Sequence, residues 1–497
     1  MLGMWGADRI RAAEDVLLAR TPEGALMRRA AHGVGRYAAD LLREHTGGVA
    51  GRRVTLLVGA GNNGGDALWA GYELRRGGAR VTAVLLAPDR AHPAGLAAFR
   101  RVRGRVLTGD SAGAGIGRAP DGDTAGDAVA GAHLVIDGIV GISGRGALRP
   151  AAAELVARAE AAGVPILAVD LPSGVDPDTG AVDGPAVTAT ATVTFGGRKP
   201  VHALAPHHCG PVRLVDIGLA PHLPDPDLYQ LEAADVAARW PVPGPADDKY
   251  TQGVVGIAAG SAVYPGAAVL ATGAAVAATS GMVRFAGGAA DQVRSRWPEV
   301  VAAGSVADTG RVQAWTVGPG IGTGGTGRDV LASVLDAGLP CCLDADAITL
   351  IGADPNLADA AYELPAVYTP HDREFARLTG AEVGPDRVGA ARAAAAKLRA
   401  TVLLKGNVTV VAAPDGRALA NPAGSSWAAT AGSGDVLSGL IGALLAAGLD
   451  PWWAAGCAAF VHARAAQIAA GPPPGIPIGA SALLAAIPEA IRQTRTP

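Results

Sequence analysis

Arg53-Val-Thr-Leu-Leu-Val-Gly-Ala-Gly-Asn-Asn-Gly-Gly-Asp66 is the stretch that decides the fold. An apolar run ends in a glycine- and asparagine-rich turn, and the segment Asp66–Gly77 that follows has a helical period. A continuously apolar strand feeding a helix belongs to a parallel sheet covered on both faces. The alternation extends outward from there. Strands are predicted at Arg80–Ala87, His133–Ile139, Pro165–Leu171, Ala191–Gly196 and Val212–Ile217, and helices at Ala25–Glu44 and Ala151–Ala162. It restarts in the second half, with strands at Val254–Ala258, Ala314–Val317, Pro340–Asp344, Ala366–Tyr368, Thr401–Lys405 and Thr409–Ala412. Helices are expected there at Ala267–Thr279, Gly389–Leu398, Asp435–Ala447 and Trp453–Ala470. Between the halves, Leu219–Asp248 carries Pro221, Pro224, Pro226, Pro241, Pro243 and Pro245 around one short helical stretch, Leu231–Arg239. The expected class is therefore α/β, with two three-layer domains, 1–220 and 247–497, joined by a Pro-rich linker at 221–246. Two Gly-rich insertions, Thr108–Asp127 and Gly471–Pro477, read as surface loops.

Composition narrows the function. The 497 residues are 49% hydrophobic and 4% aromatic, so the core is aliphatic and alanine-rich. That hydrophobic share excludes a disordered chain. A net charge of -3 excludes a strongly basic nucleic-acid binder and leaves no polybasic membrane patch. The uncharged stretch Gly253–Val283 is long enough to span a bilayer, but it is mostly Ala, Gly, Ser and Thr, with Pro265 inside. It reads as strand, loop and buried helix, and no membrane association is expected. Asp8, Arg9, Arg11, Glu14 and Asp15 stand where a secretory signal would need an apolar core. Cys209, Cys341, Cys342 and Cys457 form no CxxC, which fits a reducing cytoplasm. His207-His-Cys209 lacks a fourth ligand at zinc spacing and reads as packing. Lysine occurs only at Lys199, Lys249, Lys397 and Lys405, so positions that keep it are candidates for a compact point charge.

Three loops of the first half end on polar residues. Gly59, Gly61 and Gly64 satisfy G-x-G-x-x-G, which fits a dinucleotide turn and equally a tight strand-to-helix turn. Asn62, Asn63 and Asp66 exceed what a plain turn requires, although Asx residues also cap helices. Asp137-Gly-Ile-Val-Gly-Ile-Ser-Gly-Arg-Gly146 and Asp170-Leu-Pro-Ser-Gly-Val-Asp176 each place a carboxylate at the end of a buried strand, where open parallel sheets bind ligands. Asn63, Asp137 and Ser173 offer oxygens that suit a hard cation. Gly138, Gly141, Gly144 and Gly146 offer N–H groups to a phosphate. Asp170, between Val169 and Leu171, is expected to have a raised pKa and to act as acid and base.

Together with Leu26-Met-Arg-Arg-Ala30, these three motifs resemble the NAD(P)H-hydrate epimerase family over about residues 10–220. The resemblance implies a Rossmann-like domain and a potassium ion held by Asn63, Asp137 and Ser173. It puts Asn62, Asn63, Gly64, Gly65, Asp66, Gly141, Ile142, Ser143, Gly144, Arg145, Gly146, Ala147 and Asp170 on the hydrated dinucleotide. Ala67 stands where the family commonly has glycine, and Gly141-Ile-Ser-Gly replaces its usual Gly-Thr-Gly.

In the second half, Gly432-Ser-Gly-Asp-Val-Leu-Ser-Gly439 leads into an apolar helix. Glycines at a helix N-terminus make an anion hole, and an Asp within it can take a proton from a hydroxyl attacking phosphorus; the plainer reading is an N-cap. Lys405-Gly-Asn-Val-Thr409 lies between two strands, so Lys405 is either a phosphate contact or a solvated hairpin lysine. Gly318-Pro-Gly-Ile-Gly322 and Thr369-Pro-His-Asp-Arg-Glu374 also follow strands. With Leu343-Asp-Ala-Asp346 and Lys249-Tyr-Thr-Gln-Gly253, they resemble the ribokinase-like ADP/ATP-dependent NAD(P)H-hydrate dehydratases over about residues 245–495. The resemblance implies a ribokinase-like domain in which Lys405, Gly406, Asn407, Val408, Thr409 and Gly434 bind the adenine nucleotide. It places Ala267, Gly320, Gly322, His371 and Asp435 on the hydrate, with Asp435 as general base and Mg²⁺ on the nucleotide phosphates. Arg373 stands where that family has glycine.

Both halves then converge on one damaged metabolite, NADH or NADPH with water added across the nicotinamide ring. The expected substrates are NADHX, NADPHX and ADP or ATP, and a homo-oligomer is expected. The rival readings are a ribokinase-like kinase with a non-catalytic Rossmann-like partner domain, and a nicotinamide-dependent dehydrogenase.

Overall fold

The computed structural model describes residues 1–108, 124–279, 281–362 and 364–495. Most of the insertion Thr108–Asp127 therefore lies outside the described residues. The chain forms two compact units, Gly3–Asp227 and Leu228–Pro497 with Met1–Leu2, and the division falls inside the short strand β1 (Leu2–Met4).

The first unit is built on a 7-stranded sheet in the order β4-β3-β2-β5-β6-β7-β8. These are β2 (Arg53–Val58), β3 (Arg80–Leu85), β4 (Arg105–Thr108), β5 (Leu134–Gly138), β6 (Ile166–Val169), β7 (Ala191–Phe195) and β8 (Val212–Val215). All neighbours are parallel. The chain works outward from β2 to β4, then returns to the other side of β2 as β5. That reversal opens a crevice at the carboxyl ends of β2 and β5, the place where open α/β sheets take ligands. Val58 pairs with Gly138 there, so the loops after the two strands leave side by side.

Glycine is required at this contact for space. A Cβ on Gly59 would overlap the carbonyl oxygen of Ile139, and one on Gly138 would lie 2.5 Å from Ala67 Cβ. Ala67 thus fits because the strand opposite supplies the missing methyl's room. Met27 and His92 crowd Gly65 in the same way, which gives the early Leu-Met-Arg-Arg-Ala stretch a packing role.

The second unit carries β9 (Leu228–Gln230), β10 (Val254–Ala258), β11 (Met282–Ala286), β12 (Val301–Ala303), β13 (Ala314–Val317), β14 (Cys341–Leu343), β15 (Ala366–Tyr368), β16 (Thr401–Leu404), β17 (Val408–Ala412) and β18 (Ala418–Pro422). Their order is β9-β18-β17-β16-β15-β14-β13-β10-β11-β12. Pairing is parallel from β12 to β16, and antiparallel from β16 through β17 to β18. The uncharged stretch 253–283 is strand β10, helix Pro265–Ala278 and the start of β11. Among the described residues no helix is long and apolar enough to cross a membrane.

The Pro-rich segment 221–246 is only partly a connector. Leu228 and Leu231 are buried, and helix Ala233–Ala237 carries Val236 into the core of the second unit, where Trp240 joins it. The prolines hid four apolar anchors spaced for packing.

Low aromatic content is explained by how the helices of the second unit meet. Helix Pro265–Ala278 buries Ala268, Ala271, Ala274, Ala275 and Ala278, and helix Ser433–Ala446 packs against it. A Cβ on Gly439 would overlap the carbonyl oxygen of Ala271 and sit 2.9 Å from Ala274 Cβ. Backbones in contact leave no room for larger side chains. Two effects compete in Gly439→Ala: helix propensity favours alanine by about 1 kcal/mol, while overpacking costs about 1–3 kcal/mol. The clash is with backbone, which cannot rotate away, so the variant should melt lower in a thermal scan. Gly266→Ala, in the same helix pair with open space around it, should not.

Candidate active sites

In the first unit, the three loops meet around buried carboxylates. Asp137, at the end of β5, is fully buried. Its Oδ1 accepts from Ile139 N at 3.1 Å and Ser173 Oγ at 2.7 Å, and its Oδ2 from Ser173 N at 2.9 Å. Burial nevertheless pushes its pKa up to about 6, against those hydrogen bonds. Asn63, in the first turn of helix Asn62–Arg76, is buried with Nδ2 unpartnered. A Cβ on Gly141 would lie 3.1 Å from Asn63 Oδ1 and 3.4 Å from Asp170 Oδ2, so Asn63, Gly141 and Asp170 converge on one point. Asp66 is buried with Oδ1 unpartnered, and burial, then Asp170 and Glu14, push its carboxyl well above the usual range.

Asp170 does not sit among apolar neighbours alone. Lys199, 1% exposed, places Nζ 2.5 Å from Asp170 Oδ1. Thr194 Oγ1 donates to the same oxygen at 3.0 Å. Lys199 N donates to His202 Nδ1, so His202 carries its proton on Nε2 and donates to the Asp170 carbonyl at 2.9 Å. Burial, with Lys199 beside it, lowers the His202 pKa to about 3. Glu14, from helix Ala7–Leu18, faces the same group: burial raises its pKa, Lys199 opposes and Asp170 adds. Neither Lys199, His202 nor Glu14 belongs to a motif quoted above. Lysine scarcity was the only signal for Lys199.

The loop 141–147 turns tightly, with Gly144 N donating to Gly141 O at 2.8 Å. Arg145 closes it on the neighbouring loop, donating to Ile142 O, Gly144 O and Asp178 Oδ2. Asn62, Ser143, Arg145, Gly146 and Ala147 are exposed at its rim.

The second site gathers at the carboxyl ends of β13, β14, β15 and β16. Asp344, 1% exposed, follows β14. It accepts from Lys405 Nζ at 2.7 Å and from Ser438 Oγ. Burial works against its charge, but Lys405 and the hydrogen bonds win, and its pKa lies below the ordinary value. Lys405 Nζ is also 3.5 Å from Glu374 Oε2. Burial opposes its charge as well, yet Asp344 and Glu374 raise its pKa. Lys405 is thus not a solvated hairpin lysine; two carboxylates hold it at the edge of the site.

Glu374 belongs to a reciprocal cap. Its Oε2 accepts from His371 N at 2.9 Å, and His371 Nδ1 accepts from Arg373 N and Glu374 N. Arg373 is an exposed residue in the first helical turn, a position any side chain can fill, which accounts for the lost glycine. Gly320 abuts Ala267, and Gly322 N donates to Asp346 Oδ2 at 2.9 Å. Asn407 Nδ2 reaches Ser426 Oγ at 3.0 Å, and Thr409 Oγ1 turns back to Gly406 O.

Helix Ser433–Ala446 starts beside this network. Gly434 has Lys405 Nζ 3.6 Å from where its Cβ would be, and Asp435 occupies the first turn. Burial, then Asp344, push the Asp435 carboxyl up to about 7, with Lys405 opposing. His462 bonds Ser433 O at 2.9 Å, and burial lowers its pKa to about 4. Among the described residues no three His, Cys, Asp or Glu side chains converge as a metal cage. His207 and His208 stack on each other, and Cys209 is buried.

Fold and sites define a two-site α/β enzyme, each unit presenting carboxylates at the carboxyl edge of a parallel sheet. Family models match both units: a YjeF-related protein N-terminus over residues 23–201 and NAD(P)H-hydrate dehydratase over residues 255–480. The chain is 57% identical to the bifunctional NAD(P)H-hydrate repair enzyme of Mycobacterium leprae, over 97% of this chain and 98% of that one. It is 59% identical to the enzyme of the same name from Mycobacterium tuberculosis, over 90% and 89%. Among solved structures, the ADP/ATP-dependent NAD(P)H-hydrate dehydratase of Bacillus subtilis is 28% identical, with a TM-score of 0.48, over 54% of this chain and 98% of that one. The chain belongs to the family of bifunctional NAD(P)H-hydrate repair enzymes, with an epimerase unit followed by a dehydratase unit.

A raised carboxyl pKa has a sign that stability measurements can read. Folded Asp435 keeps its proton from about pH 4 to about pH 7, while the unfolded chain releases it near pH 4. Stability from this group is full below pH 4 and is lost as pH rises through 7. Asp435→Asn should therefore melt higher than the parent at pH 8, and the gain should vanish below pH 4.

Proposed function

We propose that the first unit interconverts the R and S forms of NADHX and NADPHX through Asp170, and that the second dehydrates the S form through Asp435 with ADP or ATP as co-substrate. The observation that carries this reading is Asp435 itself. A carboxyl poised near neutrality in the first turn of a helix can accept a hydroxyl proton at working pH.

In the second unit, Asp435 takes the proton of the ring hydroxyl as that oxygen attacks the terminal phosphorus. Phosphate then leaves with the C–O bonding electrons, a neighbouring ring proton is lost, and the double bond returns. Phosphate is a far better leaving group than hydroxide. Backbone N–H groups around Gly434 and the Lys405–Thr409 hairpin hold the nucleotide, and Ala267, Gly320, Gly322 and His371 line the hydrate's side. Mg²⁺ bound with the nucleotide would supply positive charge that neutralises its phosphates.

In the first unit, Asn63, Asp137 and Ser173 would hold potassium. The fit rests on the donor set: the buried Asp137 carboxylate, the Ser173 hydroxyl bonded to it and the Asn63 Oδ1 carbonyl beside Gly141 are all hard oxygens. The ion would supply fixed positive charge for the dinucleotide. Asp66 and the 141–147 loop contact the substrate, and Asp170 moves the proton. The same reading places the enzyme in the cytoplasm as a homo-oligomer, where its four free, buried cysteines remain thiols.

An absorbance assay for reformed reduced nicotinamide, on an epimer mixture with ADP, ATP or neither, tests both activities. Nucleotide-dependent recovery of both epimers is expected; recovery of one alone would remove the epimerase. Asp435→Asn should abolish dehydration and spare epimerisation, whereas Asp170→Asn should slow epimerisation alone. Loss of both activities in either folded variant would sink the two-site reading. The dehydration rate should rise with pH to a plateau above about 7. Replacing K⁺ with choline should depress epimerisation and leave dehydration intact.

A further inference from the structure

Asp170 is constrained everywhere except at one oxygen. Its N–H donates to Val193 O at 2.6 Å, and its carbonyl accepts from His202 Nε2. Its φ of 72° lies in the left-handed region, which a non-glycine residue holds only where its surroundings over-determine it. Oδ1 is occupied by Lys199 Nζ and Thr194 Oγ1. Oδ2 instead faces Gly141 and Asn63.

Lys199 has nothing left to offer a substrate. An ammonium has three protons. They go to Asp170 Oδ1, to Thr194 Oγ1 at 2.8 Å and to Phe195 O at 3.3 Å. The Thr194 hydroxyl accepts from Lys199 and donates to Asp170, closing a triangle. Three acceptors around one nitrogen suit a compact ammonium and not a planar guanidinium, which gives a reason for lysine here in a chain that otherwise uses arginine.

We propose that Lys199 is a positioning residue of the epimerase site: with Thr194 it pins Asp170 by Oδ1 and leaves Oδ2 as the one carboxylate oxygen presented to the hydrate. This rests on the reading of Asp170 as the acid–base group. Fixing the rotamer matters because rates fall steeply when a reacting atom is misplaced by about an ångström.

The test uses full-length Lys199→Met, Thr194→Val and Asp170→Asn, with epimerisation kcat and KM measured for NADHX. Far-ultraviolet circular dichroism and the thermal melt of the same preparations control for folding of the first unit, and dehydration for that of the second. Lys199→Met should lower epimerisation kcat roughly 100-fold, with KM within about threefold of the parent. Thr194→Val, isosteric and neutral, should lower kcat by about tenfold with KM again held. A raised KM at unchanged kcat in Lys199→Met would mean that Lys199 touches substrate, and would overturn the proposal. So would an unchanged kcat in Lys199→Met. Should Lys199→Met not fold, Thr194→Val decides: a lowered kcat supports the proposal and an unchanged one overturns it. Normal epimerisation by Asp170→Asn would instead defeat the reading beneath it, an outcome distinguishable from the failure of Lys199 alone.

Discussion

A buried aspartate paired with a lysine ammonium at the end of a parallel strand is the constraint on which each site depends. Asp170 with Lys199 serves the first unit, and Asp344 with Lys405 the second. Such pairs are costly to desolvate and hold only where further hydrogen bonds complete them. Thr194 and the Phe195 carbonyl complete one; Ser438 and Glu374 complete the other. The partners come from distant segments, so each pair stitches loops that local sequence would leave independent. Ser438 is the clearest case. It bonds Asp344 on one side and the Gly434 carbonyl of its own helix on the other, fixing where that helix begins.

Backbone strain accompanies both pairs. Asp170 and Ala345 are non-glycine residues with φ of 72° and 49°, one the lysine-paired aspartate of the first unit and the other next to Asp344. Left-handed geometry at a residue with a Cβ costs about 1–2 kcal/mol. Hydrogen bonds to the Asp170 backbone from His202, and pairing at Asp344, are what hold these turns. Departures from the family patterns fall where the backbone tolerates them. Ala67 faces Gly138, and Arg373 points outward from a helical turn.

Apart from the short edge strand β4, the sheet strands and the three polar loops of the first half were legible because each motif is local: an apolar run, a glycine, a polar side chain. Asp137 with Ser173 and Asp170 with Gly141 could be anticipated as neighbours from strand order alone. The Lys199–His202 segment could not, since nothing local distinguishes a lysine that turns inward after β7. Glu14 lies on a helix whose partner is set by tertiary packing. In the second half, Leu343-Asp-Ala-Asp346 was visible as a motif but carried no role until Lys405 met Asp344. The short strands β9, β11, β12 and β18 escaped notice because few residues each, with prolines or charges nearby, give no period to read. Proline density likewise made 221–246 read as a tether, although Leu228, Leu231, Val236 and Trp240 are packed.

The glycine–alanine contact between helices Pro265–Ala278 and Ser433–Ala446 has a mechanical consequence. Alanine and glycine have no rotamers, so ordering this seam forfeits almost no side-chain entropy. It also removes the slack that rotamer hopping gives an ordinary core. The helix carrying Asp435 therefore rests main chain on main chain, Gly439 against the Ala271 carbonyl. Small residues here act as a datum surface, against which the Asp435 carboxyl is held to the tolerance of the backbone itself.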